Sequence, residues 1–415
     1  MISRFDLDQR VREWGLREDV VEKDYVLGWV LWGIGSDEIL STFWAFKGGT
    51  CLKKCYLETF RFSEDLDFSV LPGGPIRSEE VRPYLDRLLQ RVHNESGVAF
   101  DGQAPRLTTH ASGNYTEGRI YYRGPRNARM VASIRVDLMA SEAVVRPTVL
   151  RPIAHAYPDA LREPATVRCY GFEEVFAEKV RAMGERSRPR DLYDIVHLFR
   201  RRDLRHHSNI VREVLAEKCA HKGIPIPSLR LLTESPQRGD LETEWGNMLA
   251  HQLPELPPFE SFWSELPTLF AWLNGEAGED ELEPVATAEE LDEVWQPPAT
   301  LWSWGMGVPV ESIRFAASNH LCVELGYQGT ARLIEPYSFR RTKAGHLLLF
   351  AIKCQTRELR GYRLDRIQSV RVTTTPFRPV HIIEIGGSGP VSAPRLRHSR
   401  VASRPRHSSP RRRKG

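Results

Sequence analysis

The sequence predicts a mixed α/β core with a helical extension, followed by a small all-β domain. Three observations carry this expectation. Between residues 43 and 201, strand-like runs alternate with helix-like runs, which marks an α/β core. From there to Leu273 the apolar spacing is mostly helical. From residue 300 to 385 the pattern changes to short β segments, "ARLIEPYSFR", "HLLLFAIKC" and "GYRLDRIQSVRVT". At 415 residues the chain exceeds the size at which one core ordinarily stops growing, so two domains or more are expected.

Taken in order, residues 5–35 have apolar side chains at three- and four-residue spacing and read as helix. Residues 43–70 read as a Gly turn, a helix and then a strand. "SEEVRPYLDRLLQRVH" (78–93) reads as a helix with Ser78 as its N-cap and Glu79 and Glu80 in its first turn. "GRIYYR" (118–123) and "MVASIRVDLMA" (130–140) read as strands. Residues 171–201 read as two helices with a break near Ser187–Pro189. Residues 276–293 hold nine Asp/Glu and no Lys/Arg, and "QPP" follows at 296–298. The expected boundaries are a core at 1–275, an acidic linker at 276–298, a β domain at 299–385 and a disordered basic tail at 386–415.

The net charge of +4 hides an asymmetry. Residues 391–415 contain nine Lys/Arg and no acid, which leaves −5 on residues 1–390. The main body is not globally basic, so contact with nucleic acid needs a local patch or the tail. No window approaches the ~20 apolar residues of a membrane span. "YVLGWVLWGIG" (Tyr25–Gly35) is too short and reads as a buried helix. The first residues lack a hydrophobic signal region, so a cytoplasmic protein is expected and a membrane partner is not. Six cysteines lack any CxxC spacing and read as reduced, partly buried thiols, with Cys51 and Cys55 on one helix face.

The chemistry concentrates in "FKGGTCLKKCYLETFRFSEDLDFSV" (46–70). Side chains alternate along a strand, so Asp65 and Asp67 project to one side and Leu66 and Phe68 to the other. Two carboxylates this close repel unless something neutralises them, and a hard divalent cation, Mg²⁺ or Mn²⁺, does so. Asp137, on another apolar strand, would complete the ligand set. Gly48, Gly49 and Thr50 open a helix, where bare N–H groups favour an anion. An anion cradle, a helix and a carboxylate strand in that order suit a nucleoside triphosphate and its metal.

"KGGTCLKK…RFSEDLDFSV" and "EKVRAMGERSRPRDLYDIVHL" resemble the AbiEii-type nucleotidyltransferase toxins of the polymerase-β-like superfamily. "EKDYVL" (22–27) and "FESFWSELPTLFAWL" (259–273) are also family-like, so the resemblance covers roughly residues 10–275. It places the second motif on Lys179, Arg186, Arg190, Asp191 and Asp194. It implies that Asp65, Asp67 and Asp137 hold the metal and that Lys179 and Arg190 contact the triphosphate. It also implies that Asp191 orients Lys179 or Arg190, or acts as an acid. Glu178 and Arg181 read as solvated. The implied activity is transfer of an NMP from an NTP to an acceptor, with tRNA 3′ ends as the acceptor class. A cognate antitoxin and a role in growth arrest or phage defence (abortive infection) come with it. Two other readings stand beside this one: an enzyme that nucleotidylates protein, and a non-catalytic regulator that only senses a nucleotide.

"IEPYSF" (334–339) and "RGYRLDRIQSV" (360–370) resemble the WYL domain, a small Sm/SH3-like barrel. The Trp-Tyr-Leu triplet is replaced within "HLLLF" (346–350). That resemblance implies a nucleic-acid or nucleotide ligand sensed through Arg340, Arg363 and Arg366.

Overall fold

A computed structural model of the chain describes residues 1–57, 60–205, 207–276, 282–285, 293–294, 310–342 and 344–385. Most of the acidic linker and all of the basic tail lie outside these residues.

Two helices open the chain, α1 (Arg4–Trp14) and α2 (Glu18–Gly35). The Ser3 hydroxyl accepts from the Asp6 N–H and the Asp6 carboxylate accepts from the Ser3 N–H, a reciprocal cap that fixes the start of α1. Gly15, at φ 64°, ends it, so the predicted single helical stretch is two helices. Helix α2 is buried nearly all round and packs against α5 (Ser78–Ser96) and β7 (Thr166–Cys169). No described helix is long and apolar enough to cross a membrane.

After the short α3 (Leu40–Phe43) comes β1 (Trp44–Lys47), four residues too short to show a period. The Gly turn follows as α4 (Gly48–Cys51), continues as π-helix over Leu52–Tyr56, and leads to β2 (Asp65–Val70). Strands β3 (Arg106–Thr109), β4 (Tyr115–Tyr122), β5 (Ala132–Met139) and β6 (Val149–Pro152) complete a seven-stranded mixed sheet with β7. Its order is β3-β4-β5-β2-β1-β7-β6. Strand β2 runs parallel to β5 and antiparallel to β1, and this sets the carboxylate face. Helix α5 starts at Ser78 itself, so its cap is Arg77, one residue earlier than predicted, and Glu80 accepts from the Arg77 N–H.

Helices α6 (Phe172–Arg186) and α7 (Pro189–Arg200) follow and pack against each other. The predicted break is real: Ser187 takes φ 43° and Pro189 is the first residue of α7. Helix α8 (Ser208–Lys222), the short α9 (Leu229–Thr233), α10 (Arg238–Thr243), α11 (Trp245–Leu249) and α12 (Phe259–Trp263), and α13 (Leu266–Asn274) form the helical extension.

The C-terminal part is a six-stranded sheet of β8 (Glu293–Val294), β9 (Leu321–Tyr327), β10 (Thr330–Arg341), β11 (Leu347–Lys353), β12 (Glu358–Arg363) and β13 (Ile367–Pro376). The main path is β12-β11-β10-β9-β13, with β8 beside β10. Among the described residues this path is open, with β12 and β13 at its ends, so ladder pairing does not close the predicted barrel. The sequence reading also missed α14 (Val310–Ser318), which packs on β9, β10 and β13 and touches α1. Asn319, just past α14, accepts from the Tyr193 hydroxyl at 2.9 Å and ties this sheet to α7.

Candidate active site

Strand β2 places Asp65 and Asp67 on the polar face, with Leu66 and Phe68 wholly buried behind them. In register on the neighbouring strand, Asp67 lies beside Asp137 and Asp65 beside Arg135. On the other side Lys47 is the register partner of Asp67. Burial pushes the Asp67 carboxyl up to about 6, and the charges of Asp65 and Asp137 add to the rise while Lys47 opposes it. Burial raises Asp65 as well. Burial is the larger cause at both positions, and Lys47 and Arg135 offset it only in part.

The trio does not converge as predicted. Among the described residues the only three-residue donor group within 4.8 Å is a set of cysteines. Asp137 is held elsewhere: it accepts from the Tyr115 hydroxyl at 2.9 Å and pairs with Arg135 at 3.0 Å. The Arg135 guanidinium thus pairs with Asp137, and its charge reaches Asp65.

The glycines have a steric reason. Gly48 takes φ 78°, and a Cβ built there would lie 2.3 Å from Asp67 Oδ2. A Cβ at Gly49 would lie 2.5 Å from Arg61 Nη2. Both permit close approach of charged groups to the turn. Thr50 is fully buried, and its hydroxyl donates to the Asp65 carbonyl oxygen at 2.5 Å. It joins the turn to the carboxylate strand.

Helices α6 and α7 bring the second motif to the same region. Lys179 Nζ lies 2.6 Å from Asp194 and 4.0 Å from Asp191. Arg61 grips Asp194 with two hydrogen bonds, at 2.7 and 2.9 Å. Burial alone would raise Asp194, yet Arg61 and Lys179 hold it down at about 2. Asp191 is fully buried and accepts two hydrogen bonds from Arg186, at 2.8 and 2.7 Å. It therefore fixes Arg186 at the α6–α7 break and does not reach Arg190. Arg190 donates to the Met248 carbonyl oxygen at 3.4 Å and feels the charge of Asp65. The Lys179–Asp194 and Arg61–Asp194 pairs are interior, whereas buried Asp191 pairs with an exposed Arg186.

The expectation for Glu178 and Arg181 fails. Arg181 is buried and pairs with Glu178 at 2.7 Å, and Lys218 lies 3.5 Å from Glu178. Helix α8 packs on α6 and brings Lys218 against them.

Sequence reasoning missed Arg61, Lys47, Glu142 and Arg135. Lys47 pairs with Glu142, which also accepts from Ser69 at 3.0 Å and Tyr170 at 3.3 Å. A signal existed for Arg61: a lone cation between Phe60 and Phe62, just before the carboxylate strand, needs a buried acid as partner.

In the β domain, Arg340 and Arg363 share one cross-strand row through Leu348. Arg340 pairs with Glu384 at 2.6 Å, and Arg363 pairs with Asp365 two residues on at 2.7 Å rather than across strands. Arg366 is exposed.

The family model described as "Nucleotidyl transferase AbiEii toxin, Type IV TA system" matches residues 29–271. No curated protein matches the chain. Among solved structures, the chain is similar to MenT4, a nucleotidyltransferase toxin from Mycobacterium tuberculosis H37Rv. The identity is 20% and the TM-score 0.43, over 68% of this chain and 92% of that one.

Proposed function

The chain belongs to the AbiEii nucleotidyltransferase toxin family of type IV toxin–antitoxin systems, and on that premise we propose that it moves an NMP from an NTP onto RNA, with the 3′ end of tRNA as acceptor. The observation that carries the reading is the polar face of β2 and β5. There Asp67 stands in register with Asp137, two residues from Asp65 and close to Gly48, and the charges of Lys179 and Arg190 reach Asp67 and Asp65.

The acceptor hydroxyl oxygen would form the new bond to the α-phosphorus as the α–β bridging bond breaks, and pyrophosphate leaves. Asp137 would take the hydroxyl proton. The glycine N–H groups and Lys179 would bind the triphosphate, and Arg190 would balance its charge near Asp65. Asp194 and Arg61 position Lys179, and Asp191 positions Arg186.

The carboxylate face fits a hard divalent cation, Mg²⁺ or Mn²⁺, because Asp67 is pushed up to about 6 by burial and by its acidic neighbours. Asp65 and Asp67 would hold the ion, and Asp137 would join if Arg135 swings away. Such an ion supplies charge stabilisation for the phosphates in transfer.

Growth arrest, phage defence, a cytoplasmic site of action and silencing by an antitoxin belong to the same proposal. The C-terminal sheet would act as a WYL-like sensor of a nucleotide or nucleic acid through the Arg340–Arg363 row and Arg366. The test is incubation with each of four α-labelled NTPs, Mg²⁺ and total tRNA. RNase-sensitive label from one NTP supports the reading. Protease-sensitive label instead means protein nucleotidylation, and bound but untransferred nucleotide means a sensor.

A further inference from the structure

The glycine turn runs directly into π-helix, whose wider winding turns Cys51 and Cys55 toward the same point. Cys169, the last residue of β7, faces them from the strand that pairs with β1. The three sulfurs lie within 4.8 Å of one another and all three residues are buried. An isolated buried thiol is ordinarily a small apolar side chain. Three that meet from two different elements form a donor set.

The spacing suits a soft metal. Thiolates at the usual zinc–sulfur length of roughly 2.3 Å form a triangle about 4 Å on a side when they surround one ion. The charge also suits one. Arg151 donates twice to the Cys55 carbonyl oxygen, at 3.2 Å each, and its guanidinium lies 4.7 Å from the Tyr56 ring centre. Three thiolates, a dication and this guanidinium sum to zero. The Tyr56 hydroxyl lies 3.9 Å from the Cys169 sulfur and is fixed by its hydrogen bond to the Tyr170 carbonyl oxygen at 2.6 Å.

We propose that Cys51, Cys55 and Cys169 form a three-thiolate site for a thiophilic d¹⁰ cation, zinc in the cell. The hard ion proposed at the aspartates would be distinct from it in donor chemistry and in place. Binding releases the thiol protons of the three cysteines, and the ion bonds to all three sulfurs without redox change. Its place is behind the glycine turn, where it would pin α4 and the π-helical run to β7. Because the site is enclosed, the ion enters during folding.

The experiment uses untagged full-length protein, refolded with one equivalent of Zn²⁺ or Cd²⁺ and then dialysed. Elemental analysis should find one ion per chain, released only on unfolding, and Cd²⁺ should give thiolate charge-transfer absorption in the ultraviolet. Asp65→Ala with Asp67→Ala should keep the ion, and Cys169→Ala should lose it. Wild-type protein that refolds without retaining either ion, or that retains it without the absorption, overturns the proposal. So does a Cys169→Ala protein that keeps the full equivalent. Should Cys169→Ala not fold, Cys55→Ser supplies the same comparison.

Discussion

Lys179 Nζ sits 2.6 Å from the Asp194 carboxylate, which Arg61 grips from the other side. One buried acid thus anchors two cations from segments far apart in sequence. Removing the acid should leave Arg61 buried with only the Gln252 side chain and Lys179 with Asp191 at 4.0 Å, at a cost of about 3–5 kcal/mol. Denaturant unfolding of Asp194→Ala checks this, and a loss below about 1 kcal/mol would contradict it.

Lys179→Ala leaves Asp194 paired with Arg61, so the fold should survive. Transfer should fall by roughly 10²–10³-fold, the cost of losing one charge-stabilising group. The check is steady-state transfer beside a melting curve. An unfolded variant, or one with full activity, is the contrary result.

Gly48→Ala forces a side chain into a left-handed conformation and against Asp67. Backbone strain should cost about 1–2 kcal/mol. The displaced Asp67 carboxylate should cost transfer more than it costs stability, which paired activity and unfolding measurements would reveal.

The Asp67 carboxyl is raised to about 6 in the folded chain, above its unfolded value. The folded state then holds the extra proton between roughly pH 4 and 6, so this group's contribution makes stability fall as pH rises through that window. Above it the carboxylate is ionised, and Mg²⁺ affinity should climb as pH passes about 6. Asp194 has the opposite sign: held down at about 2, its stabilisation is present at neutral pH and lost between roughly pH 4 and 2. Mg²⁺ titrations across pH with wild type and Asp67→Asn separate the two groups. A variant with the wild-type profile would contradict the assignment to Asp67.

Much of this was legible because local rules carried it. Alternation placed Leu66 and Phe68 inside and the aspartates outside, and Pro189 marked the α6–α7 break. What was not legible depends on packing. Strand β1 is too short for a period, and α14 lies in a stretch read as β. Arg181 is buried only because α8 covers it. The hydroxyl of Thr50 and the carboxylates of Asp191 and Asp137 carry the residue types an active site needs. Their partners, the Asp65 carbonyl, Arg186 and Arg135, follow from tertiary geometry that spacing alone does not encode.

The most direct measurement compares wild type with Asp65→Ala and Asp67→Ala for Mg²⁺-dependent transfer of α-labelled NMP to tRNA, each variant first shown to be folded by its melting curve. The account predicts labelled tRNA with wild type, none with either variant, and none in EDTA. Full labelling by a variant, or by wild type in EDTA, would contradict the claim that these carboxylates are the centre of the reaction.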